Sequence, residues 1–206
     1  MAVLFGSAAW AAADTATTSW VLSKLARPAP MRTSFVELRG SKLLKQPLQV
    51  SGEYRRPDQD TFVRDVRTPY LEVTTIRDGQ ATVTRAGKSR TFSLSRAPEL
   101  AGLQSSFGAL LSGDRAQLQR HYTLRTDGTQ TQWQMTLVPK DKAMAARVRD
   151  IQLYGRGSEL RCIETRAPAS GKAAGEVQRT LLATAARSAP ADLGMEGMEA
   201  LCQGRP

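Results

Sequence analysis

The sequence predicts the α+β class: a strongly curved antiparallel sheet, an incomplete or open β-barrel, with helices forming a lid over its concave apolar face. Three observations predict it. Short segments alternate apolar and polar residues with the period of two that belongs to strands. Turn dipeptides at Asp78-Gly79, Ala86-Gly87 and Asp127-Gly128 separate several of these segments, as hairpins require. One leucine-rich stripe with helical spacing interrupts them, and it supplies cover for the face that alternation leaves apolar.

Residues 16–26 carry Trp20, Val21 and Leu25 at near-helical spacing before Arg27-Pro28, so a short helix is expected there. Residues 48–56 place Leu48, Val50, Tyr54 and Arg56 on one face, and Gln49, Ser51, Glu53 and Arg55 on the other. Strands are expected at 70–77, 80–86 and 88–94, then at 120–126 and 130–138, where Trp133, Met135 and Leu137 share one face. Further strands are expected at 147–154 and 158–165 around a Gly155-Arg156-Gly157 turn, and at 176–183. Leu100, Leu103, Phe107, Leu110 and Leu111 form the helical stripe, with Pro98 suited to its first turn and Gly113 to its end. Asp114 can start a second helical piece through Leu118. From about residue 184 an irregular tail rich in Ala, Gly and Met is expected.

The 206 residues carry 29 Lys and Arg against 19 Asp and Glu, a net charge of +10. The single histidine, His121, excludes multi-histidine metal sites, and two cysteines cannot build a thiolate zinc site alone. No nucleophile elbow, phosphate-cradling loop or dinucleotide fingerprint is present. His121 reads as a strand-surface residue, and Asp58 and Asp60 read as loop formers after Pro57. The reading is therefore of a protein that is not an enzyme and takes no cofactor or metal. The arginines are spread along the chain instead of massed with aromatics, so the charge is read as solubility and transient attraction to an anionic membrane surface, with no nucleic-acid partner.

Residues 1–13 are uncharged and end in small residues, which reads as a signal-peptide remnant, the alternative being a frayed helical turn. An exported, periplasmic and monomeric product spanning 14–206 is the expectation. In that compartment Cys162 and Cys202 are expected to pair and to tie down the tail; two unrelated buried thiols are the other reading.

Arg56 is the most informative single residue. Parity sets its guanidinium among apolar groups, where it must find acceptors such as backbone carbonyls, unless it reaches past the strand end to solvent. Phe35, Gly52, Tyr54 and the Arg56-Pro57 pair, in that order, resemble the LolA-like outer-membrane lipoprotein carrier family. So do Trp133-x-Met135-x-Leu137-x-Pro139, Ile151-x-Leu153-x-Gly155 and the helix ending Leu111-Ser112-Gly113-Asp114. The likeness spans roughly residues 16–183 and is to a divergent branch of the family. Two departures stand out: Glu37 where a Gln is common, and Asp58-Gln59-Asp60-Thr61 before Phe62.

The resemblance implies a lidded open barrel that carries acylated cargo, a lipoprotein or lipid, from an inner-membrane exporter to an outer-membrane receptor. It implies that Arg56 latches the lid by bonding its backbone. The cargo cavity would then be lined by Leu48, Val50, Tyr54, Trp133, Met135 and Leu137. The lid would be Leu100, Leu103, Phe107, Leu110 and Leu111. Two other readings are weighed: a basic polyanion- or nucleic-acid-binding module, and a carboxylate-dependent hydrolase using Asp58, Asp60 or Glu37.

Overall fold

Eleven antiparallel strands form a single sheet in the computed structural model, which describes residues 14–39, 47–94, 110, 113–169 and 175–204. In chain order they are β1 (Met31–Arg39), β2 (Leu48–Arg56), β3 (Phe62–Thr68), β4 (Glu72–Arg77), β5 (Gln80–Arg85), β6 (Lys88–Ser93), β7 (Tyr122–Gly128), β8 (Trp133–Pro139), β9 (Asp150–Arg156), β10 (Glu159–Arg166) and β11 (Val177–Leu182). Across the sheet the order is β6-β5-β4-β3-β2-β1-β11-β10-β9-β8-β7. The outer strands β6 and β7 do not pair with each other, so the barrel is open.

Turn chemistry sets the tight hairpins. Asp78 and Gly79 take φ +50° and +69°, and Ala86 and Gly87 take +49° and +74°, the paired left-handed conformations of a two-residue hairpin turn. Two other turns fall later than the sequence suggests. β7 runs through Gly128 to a loop at 129–132, and Gly155 and Arg156 belong to β9, with Gly157 (φ +53°) making the turn. Gly155 is fixed in the strand because a Cβ there would fall inside the Trp133 indole, which lies across it at the paired position.

β3 has no counterpart among the expected strands. Its inward row is Phe62, Arg64 and Val66, and the arginine breaks the apolar alternation that marks the others. Where the β2–β3 register shifts, with Arg67 the extra residue on β3, the β3 backbone passes so close to Gly52 that a Cβ would strike the Asp65 carbonyl.

Helices lie on both sides of the sheet: α1 (Thr18–Leu25), α2 (Arg115–His121), α3 (Lys142–Ala145), α4 (Ala183–Arg187) and α5 (Met195–Gln203). The Thr17 hydroxyl caps α1 by accepting from the Trp20 N–H at 3.2 Å, and the Asp114 carboxylate caps α2 through the Gln117 N–H at 2.8 Å. α1 buries Val21, Leu22 and Leu25 against the concave face. His121 is the exposed last residue of α2 and not part of a strand.

The tail is not irregular. α4 and α5 cover the convex face, where Val36, Leu38, Leu181 and Cys162 meet Ala185, Leu193, Met198 and Cys202 in a second apolar cluster. Met198 and Cys202, one turn apart on α5, are its buried stripe, and Gly204 at φ +68° ends the helix. The centre of the sheet is therefore buried on both faces, whereas alternation alone predicts one wet face. Cys162 of β10 is bonded to Cys202 of α5.

Candidate functional site

The concave face gathers the residues that the sequence singles out. Val50, Tyr54, Trp133, Met135 and Leu137 are buried in one apolar cluster with Val21, Leu22 and Leu25 of α1, and Leu48 is half-buried against it. Period-two alternation is the cause: β2 and β8 send alternate side chains inward, and the buried side of α1 joins them in that cluster. Leu110 is 3% exposed and belongs to the same cluster. The other lid positions, Leu100, Leu103, Phe107 and Leu111, lie outside the described residues.

Arg56 ends β2 on the inward side, 8% exposed, while the neighbouring Arg55 is exposed. Its Nη1 donates to the backbone carbonyl of Arg27 at 3.5 Å and its Nη2 to that of Gln59 at 3.2 Å. Arg27 is two residues past the end of α1, so one buried guanidinium joins the sheet to the chain leaving that helix. Carbonyls satisfy the buried donors here.

An ionic cluster that sequence reasoning missed sits beside this apolar cluster. Glu37, 4% exposed, points inward from β1. The Tyr54 hydroxyl donates to its Oε1 at 2.7 Å and Arg64 donates to its Oε2 at 2.8 Å. Arg64 also reaches Glu72 at 3.6 Å, and its guanidinium lies 5.0 Å from the Phe35 ring centre. Phe35, Tyr54 and Phe62 form an aromatic row with centroids 4.5 and 5.3 Å apart. Burial, reinforced by the Glu37 carboxylate, lifts the Tyr54 phenol well above its ordinary pKa. Burial works against the Arg64 charge, but Glu37 outweighs it and raises that pKa. The missed signal was present in the sequence: Glu37 and Arg64 are charges at inward parity on two strands, and such charges need each other.

The carboxylates weighed for hydrolysis are differently placed. Asp58 is exposed and spent on its own turn, accepting from the N–H groups of Asp60 and Thr61 at 3.0 and 2.8 Å and from the Thr61 hydroxyl at 2.9 Å. The Thr61 hydroxyl is the chief cause that holds its pKa below the usual carboxylate value. Glu37 is bound to Tyr54 and Arg64. Among the described residues no group of three or more His, Cys, Asp and Glu is placed to hold a metal ion, and no helix is long and apolar enough to cross a membrane.

An open half-barrel whose apolar concavity is closed by a helix is the class of architecture that these elements define. The chain belongs to the family described as outer membrane lipoprotein carrier protein LolA-like, whose profile matches residues 8–205. No curated protein matches it in sequence. Among solved structures it is similar to a LolA superfamily protein from Nitrosomonas europaea, at 12% identity and TM-score 0.42 over 82% of this chain and 92% of that one. It is also similar to a chain of the MucA/MucB complex of Pseudomonas aeruginosa (18%, TM-score 0.34, 80% and 55%) and to LprF of Mycobacterium bovis (12%, TM-score 0.34, 81% and 91%).

Proposed function

We propose that the protein is a periplasmic carrier that shields the acyl chains of a lipoprotein or lipid and moves them between an inner-membrane exporter and an outer-membrane receptor. The carrying observation is the bond from buried Arg56 to the Arg27 carbonyl, which ties the chain beyond α1 to the sheet over an apolar concavity. Family membership supports the same reading. An acyl chain exposed to water forgoes about 0.8 kcal/mol per methylene, on the order of 12 kcal/mol for ~15 of them, and the concave cluster offers that burial. Val21, Leu22 and Leu25 already occupy part of it, so cargo competes with the helix, and net affinity is a difference that stays reversible. Met135 gives the wall a side chain that adapts to varied chains.

The test is native mass spectrometry of the protein purified from periplasm. Co-purified acylated species, lost when Leu22 is replaced by Glu, are the expected result. A clean apoprotein that also takes up no alkyl probe would remove the carrier reading.

A further inference from the structure

The wall of the sheet has a slot in it. β11 meets β1 only at Phe35–Leu182, Val36–Leu181 and Glu37–Thr180, and it meets β10 no nearer the start of that strand than Cys162–Leu181. Past Leu182 the chain leaves the sheet through Ala183, whose φ of +49° is unusual for a residue with a side chain, and enters α4. The first residues of β1 and of β10 are thus left without a strand between them. A pocket of about 550 Å³ fills that place.

The floor of this pocket is apolar and continuous with the concave cluster: Leu25, Leu110 and Leu182 belong to that cluster, and Leu160 and Met31 pack against it. Its rim carries Arg27, Arg32 and Arg187. Among the described residues none of the three forms an ion pair with a carboxylate. Arg27 donates to the carbonyls of Lys24, Ala26 and Ser158, Arg187 donates to the Thr184 hydroxyl, and Arg32 has no charged partner among the described residues. Of the two acids at the rim, Glu53 holds Arg67 at 2.7 Å, and Glu159 accepts at 2.7 Å from the Thr184 hydroxyl that itself accepts from Arg187, so one hydroxyl bridges that arginine and that acid.

An apolar floor under a rim where three arginines outnumber two acids, one of them already paired with Arg67, is the complement of an anionic amphiphile. We propose that the slot is a lateral port by which an alkyl chain reaches the hollow while its phosphate or carboxylate headgroup is held by Arg27, Arg32 and Arg187. The inference rests on the carrier reading and adds a headgroup charge and a point of entry to it. Arg27 also supplies the carbonyl that Arg56 binds, so a headgroup gripped there bears on the segment that closes the hollow.

The experiment measures displacement of N-phenyl-1-naphthylamine from the full-length protein by dodecyl phosphate, dodecanoate, dodecanol and inorganic phosphate. The anionic amphiphiles should bind about tenfold or more tightly than dodecanol, as charge-assisted contacts to arginine predict. The double variant Arg32→Gln, Arg187→Gln should lower that ratio about fivefold, and Arg32→Lys, Arg187→Lys should restore most of it. Dodecanol binding as well as the anionic chains, or a ratio that the Gln variant leaves untouched, overturns the port while leaving the carrier reading in place. Inorganic phosphate binding as tightly as dodecyl phosphate also overturns it, because the chain would then be irrelevant. Displacement by no alkyl compound at all overturns both.

Discussion

The Arg56 guanidinium bonds the carbonyl oxygen of Arg27, two residues past the end of α1, at 3.5 Å. It is a long bond, and Gln59 supplies the shorter one at 3.2 Å. One buried cation therefore divides its donors between its own loop and the helix it restrains. Hydrogen bonds from charged donors contribute about 1.5–3 kcal/mol at good geometry, and one this long falls at the bottom of that range, a bias on the chain beyond α1 and not a lock.

Arg56→Leu should loosen the closed state and increase retention of an alkyl probe by about tenfold, the equivalent of ~1.4 kcal/mol. Release to acceptor vesicles should slow accordingly. Stopped-flow fluorescence of a bound probe reads both. Uptake and release identical to the unaltered protein would show that Arg56 only satisfies its own loop.

The Glu37–Arg64 pair is nearly buried, with side chains 5% and 14% exposed, so its removal by halves is expected to be damaging. Arg64→Met takes the cation away from the buried Glu37 carboxylate and should lower stability by about 3–5 kcal/mol in urea unfolding. The double variant Glu37→Met, Arg64→Met should recover most of that loss, because apolar replacements of a buried pair are often neutral. A double variant as unstable as the single one would mean that the pair holds the β1–β3 geometry in a way that packing cannot replace.

Tyr54 makes the folded state sensitive to alkali. Its phenol is held well above the ordinary value of 10.0, by burial first and by Glu37 second. A group whose pKa is raised on folding binds its proton more tightly in the native state. Its contribution is complete below the unfolded value and is lost as pH rises above about 10. Urea unfolding from pH 9 to 11 should show stability falling with pH, and Tyr54→Phe should flatten that slope. An unchanged slope would assign the sensitivity to another group.

Much of this molecule was legible from alternation, and the exceptions share a cause. Parity put Val50, Tyr54 and Arg56 inward and Arg55 outward, and those burials are what β2 has. Trp133, Met135 and Leu137 followed from the same rule on β8. β3 was illegible because Arg64 sits at an inward position, and carboxylates on other strands, Glu37 of β1 at 2.8 Å and Glu72 of β4 at 3.6 Å, make that tolerable. Local pattern cannot report a partner 27 residues distant. α5 was missed because its apolar stripe is two side chains long, Met198 and Cys202, and its burial depends on the convex face of β10 and β11. The slot beside Leu182 arises where a strand stops short, and nothing in the composition of β11 marks that end.

Gly155 is required by Trp133. The indole lies against the glycine, where a Cβ would overlap its six-membered ring, and donates its N–H to the Gly157 carbonyl at 2.9 Å. Gly155→Ala should drive the ring out of its place, break that bond and destabilise the fold by about 1–3 kcal/mol, the usual range for overpacking. Tryptophan emission should shift to longer wavelength as Trp133 gains solvent. A variant with unaltered emission and stability would mean that β8 and β9 can separate enough to admit a methyl group.

The Cys162–Cys202 bond joins residues 40 apart and fastens α5 to β10. Closing a loop of that length contributes on the order of 4 kcal/mol by the chain-entropy account, with native-state relaxation able to reduce it. Cys162→Ala, Cys202→Ala should therefore lower the melting temperature by roughly 5–15 °C. The convex cluster around Met198 is separate from the concave cluster around Met135, so loss of the bond should expose the tail first. Proteolysis near 190–204 should accelerate at temperatures where alkyl-probe uptake is still intact. If uptake and tail protection were lost together, the two faces of the sheet would be one cooperative unit, and the C-terminal helices would belong to the cargo site as much as to the scaffold.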